Sequence, residues 1–382
     1  MQQLSKERLE ELTQCSDISG AAYEDLIGWV RAEPGIDKFA PDAICRMDPR
    51  NQRMVVYNAA RSKRPHDNKG DAPPVQMAST KPCPICEGNT TRAIDVAPLK
   101  NGYTFINKNL FPCFYRTDDA VGAAITPSDG YGIGEAAPIG NHYLQWTSTV
   151  HNDDWFNMDV DDLCVVLTRL GVFEKQLLTT SAAAMPDTSR WHGHVRETPG
   201  TSGFVSIMKN YGAPVGGSLV HGHQQITHSN VMSRAMYDNW RFLQHQGMTF
   251  SAHMLEDTPD ELRLADLGET ELLVPYFMRR PLGAMLFLKN DARQFLHQLN
   301  DAEIHSLVNG ISKTVRAYHR VLPAIGRDVA YNVLFHTGPG AGLYIEFIPF
   351  TQETGGMEQL GLWVCQDTPE GSASVLRSYL ND

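Results

Sequence analysis

The chain has 382 residues, of which 42% are apolar, enough to bury a core of more than one domain. Its 33 Lys and Arg against 44 Asp and Glu give a net charge of −11, which argues against nucleic acid or an anionic membrane as a partner held by a broad positive field. No uninterrupted apolar run reaches the roughly 18 residues of a membrane span, and seven cysteines, an odd number with only Cys83 and Cys86 close together, make no disulfide framework.

The start, Met1-Gln-Gln-Leu-Ser-Lys-Glu-Arg, mixes charges where a signal peptide needs a basic end and an apolar run, so a soluble, cytoplasmic protein is expected. Residues 4–14 predict a short helix, and Val55-Val56-Tyr57 a strand leading into the basic cluster Arg61-Ser-Lys63-Arg64. Pro65 to Lys81 reads as a loop that delivers the chain to Cys83. Alternation predicts strands at Tyr103–Asn107 and His142–Trp146, and apolar spacing predicts a helix from Asp159 to Ala183. A loop from Asp187 to Gly203 carries His192-Gly-His194, read as a surface pair.

Phe204 to Met208 predicts a strand entering the Gly-rich run Asn210 to Ser218, with a second strand from Leu219 to Ile226. A helix is expected from Val231, then a solvated acidic connection over 256–272. The pattern then begins again: a strand at 284–289, a long helix at 300–321, and strands at 330–336 and 343–350. The two parts share one order without a fixed period, which predicts an α+β fold with antiparallel sheet. Trp146, Trp155 and Trp240 are expected in the core.

Three groups of residues carry chemistry. Cys83-Pro-Ile-Cys86 has the spacing by which two thiolates reach one tetrahedral zinc, with two further ligands to come from His151, His192, His194, His221 or His223. His221-Gly-His223-Gln-Gln225, read as a strand, points two imidazoles and an amide to one side. Ahead of it, Gly212, Gly216 and Gly217 permit close approach to a phosphate and Ser218 adds a hydroxyl, but no lysine ends the run as in a Walker-type loop.

The stretch Lys209-Asn-Tyr-Gly-Ala-Pro-Val-Gly-Gly-Ser-Leu-Val-His-Gly-His-Gln-Gln225 resembles the signature of the galactose-1-phosphate uridylyltransferase family, the nucleotidyl-transferring branch of the histidine-triad superfamily. Arg61-Ser-Lys-Arg64-Pro65, Cys83-Pro-Ile-Cys86 and Asn109-Leu-Phe111-Pro112 are similar to further motifs of that family, in the same order along the chain. The likeness is good over about 45–230 and faint beyond.

What the resemblance implies is specific. The fold would be two tandem histidine-triad-like halves forming an antiparallel sheet flanked by helices: an N-terminal extension (1–44), a first half with the metal site and nucleophile (45–250) and a second half (251–382). His223 would attack the α-phosphorus of a nucleotide sugar, Gln225 and Ser218 would assist, and Arg61, Arg64, Asn109, Asn210, Gly216 and Gly217 would bind substrate. Cys83, Cys86, His151 and His221 would close one structural zinc site. A homodimer acting on a nucleotide sugar and a sugar phosphate is expected. Leu110 stands where the uridylyl branch favours an acid, and Gly355-Gly-Met-Glu358-Gln-Leu-Gly361 looks more like ADP-glucose phosphorylase, which makes adenylyl transfer the rival. Tyr344 and Glu346 replace a His-x-His of many members, so a second metal is not expected. Two other classes compete: a zinc-stabilised nucleotide-binding module, and a hydrolase whose catalytic metal sits on His221, His223 and His192 or His194.

Overall fold

The structure, a computed structural model, describes residues 2–36, 82–114, 140–179 and 203–380, together with the backbone of 44–47, 54–57 and 135–136. Arg61, Arg64, His192, His194 and the loop from Pro65 to Lys81 lie outside the described residues, as does most of the loop from Asp187.

Ser5 accepts a hydrogen bond from the Arg8 amide and so starts helix α1 (Lys6–Leu12), whose Leu9 and Leu12 are buried. Helix α2 (Tyr23–Arg31) was not among the expected elements; it buries Tyr23, Leu26, Ile27 and Val30. Strands follow at β1 (Ile44–Met47), β2 (Met54–Tyr57), β3 (Ala93–Pro98), β4 (Tyr103–Lys108), β5 (Glu135–Ala136), β6 (Gly140–Trp146), β7 (Phe204–Tyr211) and β8 (His223–Ser229). The second half contributes β9 (Arg263–Asp266), β10 (Thr270–Leu273), β11 (Ala284–Leu288), β12 (Tyr331–His336) and β13 (Tyr344–Pro349). The remaining helices are α3 (Val160–Leu178), α4 (Arg234–Gln246), α5 (Phe250–Asp257), α6 (Asp301–Ala324), α7 (Gly356–Gln359) and α8 (Pro369–Leu380).

β2, β1 and β5 form a small sheet, and the other ten strands form one antiparallel sheet in the order β3-β4-β6-β8-β7-β12-β13-β11-β10-β9. Read inward from each edge, both halves run first, second, third, fifth, fourth. Each also sends its long helix, α3 or α6, between its third and fourth strands. The expected tandem α+β architecture is therefore present as a topological repeat, with β7 pairing β12 at the centre, Met208 opposite Leu334.

Register sorts the side chains. On one face Tyr143, Ile207, Ile226, Val333, Phe335, Ile345 and Phe347 join α3 and α6 in a single apolar core. The other face carries His142, Leu144 and Trp146 on β6, paired with Thr227, Gln225 and His223 on β8. In the second half that same face bears His336 and Glu346, and Tyr344 packs with Phe250 and Met254 of α5.

Three expectations are corrected. The strand after the Gly-rich run starts at His223 rather than Leu219 and extends to Ser229. Its first residues are held by the cluster described below, so His221 stands outside the ladder and does not share a strand face with His223 and Gln225. Residues 256–272 hold the hairpin β9–β10 rather than a plain connection: Arg263 and Glu271 pair at 2.8 Å on it, and Leu262, Leu272 and Leu273 are buried. Trp146 and Trp155 are in the core, but Trp240 is only half-buried, packed at the edge of Phe204 and Met232.

Candidate active site and metal centre

Cys83 and Cys86 lie on a turn closed by hydrogen bonds from the Glu87 amide to the Cys83 carbonyl (3.1 Å) and from the Gly88 amide to the Ile85 carbonyl (3.0 Å). His151 follows β6, and His221 precedes β8. The ligand atoms of all four residues lie within 4.8 Å of one another. Cys86 Sγ is 3.5 Å from His151 Nδ1 and 3.6 Å from His221 Nδ1, and Cys83 Sγ is 3.6 Å from His221 Nδ1. An ion about 2.3 Å from sulfur and about 2.0–2.1 Å from nitrogen, at tetrahedral angles, sets that S···N separation at about 3.5 Å. The group can therefore hold a metal ion as it stands.

The surroundings fit the same use. His221 Nε2–H donates to the Ser148 carbonyl at 2.8 Å, which fixes the tautomer and leaves the Nδ1 lone pair facing the cysteines. Burial holds the His221 imidazole neutral, with its pKa down at about 4. Burial and the neighbouring Cys83 push the Cys86 thiol up to about 12, a cost that a cation at the centre of the group offsets.

Trp146 stands between the two histidines, its ring centroid 5.4 Å from that of His221 and 5.0 Å from that of His223. His223 Nδ1–H donates to the His221 carbonyl at 2.9 Å, so its proton sits on Nδ1 and Nε2 is the basic nitrogen. Gln225, next on the same face, is 8% exposed. On the reverse side, Gln224 Oε1 accepts from Thr147 Oγ1 (2.9 Å) and Trp155 Nε1 (3.0 Å), which fixes the strand from behind.

A buried ion pair completes that support. Lys209 Nζ lies 2.8 Å from Asp154 Oδ1 with both side chains almost wholly buried, and also donates to the His223 carbonyl at 3.2 Å. Burial lowers the Lys209 pKa, and Asp154 pulls the other way. Breaking such a pair leaves one charge stranded, at a cost of about 3–5 kcal/mol. Lys209→Met is therefore expected to lower the unfolding free energy by about that amount in denaturant titration. A loss within experimental error would show that the pair does not brace the strand.

The Gly-rich loop is tightly wound. Gly212 and Gly216 take φ near 90°, and a Cβ on Gly217 would meet Gly212 backbone atoms at 2.8–2.9 Å. The amides of Val215, Gly216 and Gly217 donate to the Gly212 and Ala213 carbonyls, so these hydrogens close the loop on itself instead of pointing outward as phosphate donors. Ser218 is 9% exposed. Asn210 Oδ1 accepts from Asn332 Nδ2 of the other half at 2.7 Å. At the far end of β4, Asn109 Oδ1 accepts from the Phe111 amide (2.8 Å) and Asn109 Nδ2 lies 3.2 Å from His142 Nε2, which shapes the Asn109–Pro112 turn.

The structure thus brings together Cys83, Cys86, His151 and His221, and sets His223 beside Gln225. Sequence reasoning missed Trp146 as the divider of the histidines, His142 behind Asn109, and the Lys209–Asp154 brace. His336 is not isolated: its Nε2 lies 3.0 Å from Glu346 Oε2, and Arg279 lies 2.6 Å from Glu346 Oε1. Burial raises the Glu346 pKa, yet His336 and Arg279 outweigh it and hold the carboxyl down at about 2.

The architecture, two equivalent halves in one ten-stranded sheet, is that of the uridylyltransferases. A solved uridylyltransferase matches it with a TM-score of 0.64 at 16% identity, over 88% of this chain and 98% of that one. An ADP-glucose phosphorylase from Arabidopsis thaliana, solved with bound ADP-glucose, matches with a TM-score of 0.59 at 17% identity, over 87% and 98%. By sequence the chain is 21% identical to ADP-glucose phosphorylase of Arabidopsis thaliana over 353 residues, 87% of this chain and 92% of that protein. No family model matches. The resemblance drawn from the motifs is borne out in the fold, and it extends through the second half, where sequence likeness was faint.

Proposed function

We propose that this chain is a nucleotidyltransferase that works on nucleotide sugars through a covalent nucleotidyl-histidine at His223. The observation that carries this reading is the His223 Nδ1–H bond to the His221 carbonyl, which leaves Nε2 basic beside Gln225. In the first half-reaction Nε2 forms a bond to the α-phosphorus as the bond from that phosphorus to the bridging oxygen breaks, and the sugar leaves as its 1-phosphate. In the second, an oxygen of the acceptor phosphate attacks the same phosphorus and the P–N bond breaks. Arg61, Arg64, Ser218 and Asn210 would balance the phosphate charge, Gly216 and Gly217 would shape the loop, and the Asn109 turn would meet the nucleoside.

The Cys83, Cys86, His151, His221 group supports zinc, by its two sulfur and two nitrogen donors and by its separations. Four protein ligands leave no open position, so the ion's part is to hold the chain on either side of β6 and β8 in place. That arrangement weighs against a hydrolase with its catalytic metal on His221 and His223, since His221 faces the cysteines and His223 does not.

Two donors remain in contention. The uridylyltransferase likeness supports UDP-glucose with a hexose 1-phosphate acceptor, and a cytoplasmic homodimer would suit that activity. Leu110 and the two ADP-glucose phosphorylase matches support an ADP-sugar with phosphate as acceptor. The test is the half-reaction itself: enzyme mixed with UDP-glucose or ADP-glucose, without acceptor, should release glucose 1-phosphate in a burst stoichiometric with enzyme. The donor that gives the burst identifies the base, and the absence of a burst with either sinks the covalent reading for both.

Gln225 decides between transfer and hydrolysis in this account. Its amide donates to a phosphoryl oxygen as charge builds, and removing one such donor costs about 10²–10³ in rate, so Gln225→Ala should slow the burst by that factor. Gln225→His should instead send more product to free nucleoside monophosphate at fixed acceptor concentration, because an imidazole can pass a proton and an amide cannot. Equal partition in the two variants would remove residue 225 from that choice.

A further inference from the structure

A cavity of about 190 Å³ lies in the second half of the sheet, lined by Arg279, Arg280, Asn332, Glu346 and Trp363 among others. We propose that it is a second anion site, shaped for the phosphate group of inorganic phosphate or a small phosphate monoester, with Arg280 as its principal charge.

The charges on its wall are unequal in their partners. Arg279 is committed to Glu346 at 2.6 Å, and its guanidinium carbon lies 5.3 Å from the Trp363 ring centroid. Arg280 is half-buried, its guanidinium carbon 5.7 Å over the Phe350 ring, and among the described residues that guanidinium has no hydrogen bond or ion pair. The acid with the strongest pull on it, Glu358, has its carboxylate engaged by the Gly355 and Val364 amides at 2.7 and 3.3 Å. A half-buried guanidinium that makes no salt bridge among the described residues, with Glu358 acting on it only from a distance, can take an anionic ligand, and the planar donor fork of Arg suits phosphate.

Size narrows the class. At about 190 Å³ the cavity is below the roughly 300–1,000 Å³ that encloses a drug-sized ligand, and it has room for phosphate or a compact ester. Asn332, on its wall, is joined to the Gly-rich loop: its Nδ2 donates to Asn210 Oδ1 (2.7 Å) and to the Val215 carbonyl (3.2 Å).

Equilibrium dialysis of the full-length, zinc-loaded protein with labelled inorganic phosphate, and in a second arm with glucose 1-phosphate, tests this. His223→Ala protein should keep a saturable binding component that Arg280→Met weakens about tenfold to a hundredfold, the scale of a lost charge-assisted hydrogen bond. Arg280→Lys, which keeps the charge, should retain most of it, and both Arg280 variants should melt like the wild type. Comparing the arms tells whether the bare phosphate or the ester is preferred. Binding in His223→Ala protein that is indifferent to Arg280→Met, or no binding there at all, overturns the proposal. Neither result depends on whether His223 is a nucleophile.

Discussion

His223→Ala is expected to abolish nucleotidyl transfer while leaving the protein folded and its metal in place. The variant would lose the atom at which the covalent intermediate is proposed to form, and removing the nucleophile or its base in a well-characterised hydrolase lowers kcat by about 10⁶. Its structural cost is small by comparison. The hydrogen bond from its Nδ1 to the His221 carbonyl is a neutral one, worth about 1 kcal/mol. The variant should therefore melt close to the wild type, retain full metal content and still bind nucleotide sugar. A His223→Ala protein with more than a small fraction of wild-type exchange would place the nucleophile elsewhere.

Loss of a metal ligand should act in the opposite way, on the fold first. Apparent binding energies of structural zinc in small domains are about 10–16 kcal/mol, against a total stability of about 5–15 kcal/mol for an ordinary domain. The four residues come from the turn ahead of β3, the end of β6 and the approach to β8, so one ion held there would tie together segments that flank the His223 strand. Cys83→Ser and His221→Ala should each carry little metal, show a strongly lowered melting temperature and accumulate as insoluble protein. Chelator should inactivate the wild type slowly, in step with unfolding, because no ligand position opens directly to solvent chemistry. Cys83→Ser with normal zinc and an unchanged melt would dismiss the assignment, and equal metal loss in His223→Ala would show that the two histidines have been given each other's roles.

The contrast between these two histidines shows what was legible in the sequence. Alternation announced β4 and β6, and apolar spacing announced α3, which buries a continuous stripe against the main core. The repeat was visible as an order of elements rather than a period, since the connections differ in length while the strand order does not. The thiol spacing of Cys83 and Cys86 is local and readable. Their partners are 65 and 135 residues from Cys86 along the chain, and only family likeness singled out His151 and His221 from five histidines. Strand periodicity put His221 on the face of His223. The structure removes it from the ladder, because its ring serves the cysteine turn and its carbonyl serves the His223 ring.

Other misses have the same physical origin. Asp154 and Lys209 are brought together only by the packing of the segment after β6 on β7, and nothing near either residue marks the pair. The acids over 256–272 suggested a solvated connection, yet Arg263 and Lys289 pair with Glu271 and Asp266 and let a short hairpin form at the sheet edge. The glycines at 212, 216 and 217 announced a tight loop, but the direction of its amides was not legible, since self-closure and phosphate contact use the same residues.

The central claim is most directly tested by covalent capture. The protein is incubated with UDP-glucose or ADP-glucose labelled at the α-phosphate, without acceptor, then denatured, digested at alkaline pH and mapped by mass spectrometry. The account predicts a nucleoside monophosphate on the peptide containing His223, attached by a bond that is stable to base and labile to acid, discharged by adding sugar phosphate or phosphate before denaturation, and missing from His223→Ala protein. Label on another residue, or label on His223 that no acceptor can remove, would contradict it.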